Sequence, residues 1–267
     1  MAVALYEKSD RIALITLNRP EAMNAINPEL HARLWEIWED FRDDAAVDVA
    51  ILTGAGEAFC AGADLKSYMP RWIGAGYREV RDNVATGLGG LTRGLHRITK
   101  PVIAAVNGWA LAGGLETALA CDIRIASERA RFGSFEARRG FHHADGGIVR
   151  LVNICGAGVA LEMLLTAEPI DAERALRCNL VSRVVPHERL MEEAHTVARQ
   201  ILRNSQTAVR SAKETILDVI GRPLDDQLRI EALNGYSSLG ADTAERLQRF
   251  YEKTDAGRAG RRETPLP

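Results

Sequence analysis

Cysteine is scarce in this 267-residue chain: Cys60, Cys121, Cys155 and Cys178 stand far apart and form no Cys-x-x-Cys pair. That spacing argues against a disulfide framework and makes a reducing cytoplasm the default expectation. Cys60 abuts a loop of small residues, where a small buried cysteine reads as packing rather than as a nucleophile. Charge of one sign is lacking too. A formal net charge of −2 offers no basic excess of the kind a nucleic-acid partner requires, although lysines and arginines can still gather locally around an anionic ligand. No stretch approaches the ~20 apolar residues of a membrane span. The start, Met1-Ala2-Val3-Ala4-Leu5-Tyr6-Glu7, lacks the charged-then-apolar layout of a signal peptide. The expectation is therefore a cytoplasmic protein with neither membrane nor nucleic acid as partner.

What is present is ordinary for a globular enzyme: 46% apolar and 26% charged residues, in a chain long enough for one large core and a smaller appended unit. Ile12–Leu17, Val49–Thr53, Val102–Val106, Ile123–Ala126 and Val181–Val185 read as short buried strands. Helical patterns lie between them. The clearest starts at Asn27 as N-cap with Pro28 at the first helical position, and Leu30, Leu34, Ile37, Trp38 and Phe41 recur as one buried stripe. This alternation predicts an α/β fold with largely parallel strands. No Gly-x-Gly-x-x-Gly follows the first strand, so a dinucleotide-binding sheet is not indicated. From about Glu188 the strand signals stop and helical patterns take over, including 208–220 and 243–251.

One junction carries chemistry. Val102-Ile103-Ala104-Ala105-Val106-Asn107-Gly108 ends a strand in a glycine-containing turn, and Gly113-Gly114-Leu115-Glu116 opens a helix. Free N–H groups at a helix start can hold developing negative charge, and Glu116, three residues past Gly113, faces the same space. A second segment, Phe59-Cys60-Ala61-Gly62-Ala63-Asp64-Leu65-Lys66, follows another strand with equally bare backbone.

These segments resemble the enoyl-CoA hydratase/isomerase (crotonase) superfamily. The likeness extends to Asn18-Arg19-Pro20, Asn24-Ala25, Phe132-Gly133-Ser134-Phe135-Glu136, Gly146-Gly147, Arg150-Leu151, 164–167 and 180–185. It implies a spiral of repeated β-β-α turns over 1–187. The helical region 188–267 would support a homotrimer or homohexamer. It further implies an enoyl-CoA hydratase that reversibly adds water, in the syn sense, to a trans-2-enoyl-CoA thioester to give a 3-hydroxyacyl-CoA. The backbone N–H groups of Ala63 and Gly113 would form an oxyanion hole, Glu116 would activate water, and Glu136 would protonate the α-carbon. CoA would lie against Ala61, Ala63, Asp64 and Leu65, with Lys66 within reach of a phosphate. No separate cofactor and no metal is implied.

The chain departs from the family in places. Glu21 and Met23 stand where relatives often carry basic residues toward the phosphates, and the arginines of the tail, Arg258, Arg261 and Arg262, are candidates to replace them. The tail from Gly257 is expected to fray. The segment from Phe135 to Gly147 has phenylalanine in place of the usual proline before the glutamate, and His142-His143-Ala144-Asp145 in place of a Pro-Gly loop. Relatives with dehalogenase or dienoyl-isomerase chemistry carry an aspartate one position from Asp145. One of the two histidines is expected to hydrogen-bond near the pocket and the other to face solvent. Tyr68, Met69, Trp72, Trp109, Phe135 and Phe141 are the candidate acyl-pocket lining. Two other readings remain open on sequence: a double-bond isomerase, hydrolase or decarboxylase built on the same enolate site, or a CoA-ester binding protein without turnover.

Overall fold

The structure, a computed structural model, describes residues 2–259. Ten strands and nine α-helices are found among the described residues. Strand β1 (Ala4–Ser9) turns at Asp10-Arg11, both at positive φ, into β2 (Ile12–Leu17), a two-residue hairpin. Helix α1 (Pro28–Asp43) follows, capped as expected: the Asn27 side chain accepts from Leu30 N at 2.8 Å. Its five stripe residues are all buried.

The next elements repeat one unit. Strands β3 (Val49–Gly54) and β4 (Ala58–Cys60) lead to α2 (Tyr77–Thr86); β5 (Val102–Val106) and β6 (Trp109–Leu111) to α3 (Gly113–Ala120); β7 (Ile123–Ser127) and β8 (Arg131–Gly133) to α4 (Gly147–Thr166). The first strand of each unit joins a larger sheet and the second a smaller one. The larger sheet runs β1-β2-β3-β5-β7-β10 and the smaller β4-β6-β8-β9, where β9 is Ile170–Asp171 and β10 is Arg183–Val185. Among the described residues, antiparallel pairing is confined to β1–β2 and β8–β9. Short α5 (Ala172–Arg177) links β9 to β10.

The five strands read from the sequence are consecutive neighbours in the larger sheet. They read as unbroken apolar runs because both faces of that sheet are covered. One face packs Ile15, Leu17, Leu52 and Ala104 with the α1 stripe. The other packs Ile12, Ile51, Ile103 and Ile125 against Leu190, Ala194, Val197 and Ala198 of α6 (Leu190–Leu202).

That second layer moves the division expected at 187/188. The compact units are 1–202 and 203–267, because α6 supplies one wall of the sheet's core. The second unit comprises α7 (Gln206–Val219), α8 (Leu224–Ser237) and α9 (Ala241–Ala259). The backbone stays helical through Gly257 to Ala259, and the rest of the tail, with Arg261 and Arg262, lies outside the described residues.

One expectation about apolar runs is corrected. Helix α4 is long and apolar enough to cross a membrane by length and composition. It is, however, interrupted at Gly156, whose φ of 79° and ψ of 160° are not helical, and Gly147, Leu151, Ala160 and Met163 are buried in the fold.

Candidate active site

Two backbone segments meet at one end of the smaller sheet. Strand β4 runs into Ala61-Gly62-Ala63, and β6 into Ala112-Gly113. Asn24 and Asn107 fasten the turn behind them. Asn24 Nδ2 donates to the carbonyls of Ala55 and Ala58, and Asn107 Nδ2 to those of Gly56 and Ala58. The segments touch so closely that a β-carbon on Gly113 would lie 3.3 Å from Gly62 Cα, 3.4 Å from Ala63 N and 2.4 Å from a Leu88 methyl. Gly113 opens α3, where the first N–H groups have no acceptor within the helix. The bridge between Ile26 and the 62–64 segment uses Gly62 O and Asp64 N, which leaves the Ala63 N–H out of it. Ala112, just before Gly113, holds φ 52° and ψ −125°, a costly conformation for a residue with a β-carbon and one typical of sites where backbone direction matters.

Both glutamates are buried within reach of this turn. Glu116 Oε1 accepts from Asp145 N at 2.7 Å and Gly147 N at 2.9 Å, so the start of α4 fixes its carboxylate. Glu136 Oε2 accepts from Ser134 Oγ at 3.2 Å. Between the two carboxylates lies the His143 ring, fully buried, with Nδ1 2.7 Å from Glu136 Oε1 and 3.3 Å from Glu116 Oε1. Neither carboxylate lies in hydrogen-bond direction from Nδ1, so the contact is made by charge and proximity, and Nε2 is buried without a hydrogen-bond partner among the described residues. Burial alone would lower the His143 pKa, but the two carboxylates outweigh it and hold it at about 9, so the ring is an imidazolium at neutral pH.

Asp145 is committed elsewhere. Its Oδ1 accepts from Leu88 N at 2.7 Å and Thr92 Oγ1 at 3.2 Å, and Arg93 lies 3.2 Å away. Burial and the Glu116 charge raise its pKa.

These groups line a cleft of about 630 Å³. Ala61, Ala63, Asp64, Leu65, Lys66, Gly113, Glu116, Glu136, Tyr68, Met69, Trp72, Phe135, Phe141, His142, His143 and Asp145 all border it. Trp109 does not, which corrects its place in the expected pocket. It pairs with Ala58 and Arg131 further back on β6, and Leu111, two residues on (roughly 6.6 Å along a strand), reaches the cleft instead. The Asp64 side chain holds its own loop: Oδ1 accepts from Lys66 N and Ser67 N, and Oδ2 pairs with Arg19 at 3.2 Å. Those partners overcome burial and lower its pKa. Of the two histidines, His143 enters the site, and exposed His142 sets its Nδ1 2.7 Å from the His143 carbonyl. Burial pushes the Cys60 thiol up to about 12, as befits a packing residue.

The cleft also includes Val80, Asn83, Leu88 and Arg139, which sequence reasoning did not single out. Arg139 had a visible signal in the Arg138-Arg139 pair of the departing segment. Glu116, Glu136 and His143 also offer three ligand-type atoms within 4.8 Å of one another. A cation there would compete with the imidazolium proton and with the two N–H groups already bound to Glu116 Oε1, so the donor set fits a proton better than a metal.

A family described as enoyl-CoA hydratase/isomerase matches residues 7–259. A crotonyl-CoA hydratase of Syntrophomonas wolfei is 37% identical over 254 residues, covering 94% of this chain and 96% of that protein. An (E)-benzylidenesuccinyl-CoA hydratase of Thauera aromatica is 42% identical over 221 residues, 82% of each chain. The crystal structure of an enoyl-CoA hydratase from Bacillus anthracis superposes with a TM-score of 0.84 at 37% identity, over 94% of this chain and 96% of that one. With its β-β-α repeats and paired loops, this chain belongs to the enoyl-CoA hydratase/isomerase family and has the crotonase fold.

Proposed function

We propose that this protein catalyses the reversible syn addition of water to a trans-2-enoyl-CoA, giving a 3-hydroxyacyl-CoA. One observation carries the reading: two buried glutamates, Glu116 and Glu136, stand beside the backbone turn of Ala63 and Gly113 and are close enough to contact the same imidazole nitrogen. The N–H groups of Ala63 and Gly113 polarise the thioester carbonyl and receive the negative charge of the enolate. Glu116 takes a proton from water as the water oxygen joins the β-carbon, and Glu136 gives a proton to the α-carbon. In the reverse direction the roles exchange. The reading needs no separate cofactor, and CoA enters as part of the substrate. The CoA moiety lies along Ala61, Ala63, Asp64 and Leu65, chiefly against backbone, with the exposed Lys66 ammonium toward a phosphate.

The same proposal includes a homotrimer or homohexamer in the cytoplasm. Exposed apolar side chains on α4 (Leu161 and Leu165) and in the second unit (Leu224, Leu233, Tyr236 and Phe250) support assembly, since a monomer rarely leaves so many uncovered. The described cysteines are all free, in keeping with a reducing compartment.

The test is mass spectrometry of short, long, branched and aromatic 2-enoyl-CoAs incubated with wild-type and Glu136→Gln protein. Gain of one water by wild type, lost in the variant, is expected. A shifted double bond or released CoA without hydration would replace this reading with isomerase or hydrolase chemistry. No turnover of any ester would leave a binding protein.

A further inference from the structure

Hydration by two carboxylates leaves a proton misplaced after each turnover: Glu116 has gained one from water and Glu136 has lost one to carbon. Resting on the hydration reading, we propose that His143 is the proton relay that joins them, passing the proton from Glu116 back to Glu136. Its Nδ1 lies 2.7 Å from an oxygen of Glu136 and 3.3 Å from an oxygen of Glu116.

The seat is built for that ring. A β-carbon on Gly147 would lie 2.6 Å from His143 Cγ and Nδ1 and 3.0 Å from Glu116 Cγ, so only glycine leaves room. The loop carrying the ring is pinned on both sides, by Asp145 N and Gly147 N on Glu116 and by the Asp145 carboxylate on Leu88 N and Thr92. The buried, unpartnered Nε2 belongs to a side chain that borders the cleft, and an oxygen of the occupant or a water would satisfy it.

The balance closes on these groups. At rest the proton sits on His143. A turn of the ring aims the Nδ1–H at Glu136 Oε1, 2.7 Å away, and the imidazolium gives that proton and becomes neutral. Water loses a proton to Glu116 as its oxygen bonds to the β-carbon, and the π electrons move to the thioester oxygen. The enolate collapses and takes the Glu136 proton at the α-carbon. Glu116 then returns its proton to Nδ1, and the site is as it began. His143 acts through the carboxylates and is a positioning residue. The charged groups around it are Glu116 on α3, Glu136 ahead of the 137–139 turn, His142 and Asp145 on its own loop, Arg150 on α4, and Arg93 beyond Asp145.

The experiment measures kcat and KM between pH 6 and 10 with crotonyl-CoA as probe, for wild type and for His143→Asn, whose amide keeps a donor near Nδ1 but does not titrate. Nitrogen-15 NMR of the His143 ring in wild type accompanies it and needs no variant to fold. Wild type should hold its rate to about pH 9 and fall above, with both ring nitrogens protonated at pH 7. His143→Asn should lose about tenfold or more in kcat at pH 7, with KM changed by less than about threefold, and should lose that alkaline limb. A hydrating wild type paired with a variant of unchanged kcat and pH profile would overturn the relay alone, as would a neutral ring at pH 7 or a rate that requires added Zn²⁺. A wild type that adds no water would overturn the hydration reading and the relay with it.

Discussion

At residue scale, the site is a set of mutual exclusions around one ring. Gly147 is fixed by the imidazole against it, so Gly147→Ala forces apart His143 and the Glu116 side chain. Overpacking of this kind costs about 1–3 kcal/mol. Urea unfolding should show a loss of that order, and steady-state kinetics a fall in hydration rate at least as large as that of His143→Asn. The ring also gives stability a pH dependence with a definite sign. Its folded pKa of about 9 lies above its ordinary 6.5, so the contribution is complete below about pH 6.5 and is lost as pH rises through 9. Unfolding free energies of wild type and His143→Asn should therefore converge between pH 7 and 10; a gap that widens would contradict the ion pair. Nothing in the local sequence announced this geometry. His142-His143 marked a departure, but which ring turns inward follows from the bonds of Asp145 and Gly147 to Glu116, which are contacts across 29 and 31 residues.

At element scale, legibility follows burial. The five apolar strands were readable because both faces of the larger sheet are covered, and α1 because its cap and stripe are local. Asn27→Ala should remove the cap's bond to Leu30 N at about 1 kcal/mol, measurable by chemical denaturation, with hydration kcat unchanged. Strand β1 escaped notice because its hairpin turn is Asp10-Arg11 rather than a glycine-containing pair, and its outward residues are exposed. Strands β4, β6, β8 and β9 are three residues or shorter, too brief for any periodicity. Yet it is the ends of β4 and β6 that deliver Ala63 and Gly113. Their place was visible through small-residue composition and family resemblance, not through strand pattern. Trp109 was misplaced for the same reason: position along a three-residue strand decides what reaches the cleft, and residue type does not.

At the scale of the whole molecule, the repeated β-β-α unit supplies the site. Each turn of chain adds a strand to the larger sheet and a short strand to the smaller one, whose end borders the cleft. Helix α6 belongs to that core, while the second unit leaves many apolar side chains exposed. Light scattering should accordingly return a particle of at least three times 29.2 kDa, and a monomer at micromolar concentration would contradict the proposed assembly. The central claim, that Glu116 and Glu136 add water to a thioester-conjugated double bond, is tested most directly in H₂¹⁸O. Wild type should place ¹⁸O on the β-carbon of the 3-hydroxyacyl-CoA, and Glu116→Gln should reduce that incorporation at least ~100-fold. Equal incorporation by the two proteins, or label found only on a released carboxylate, would contradict it.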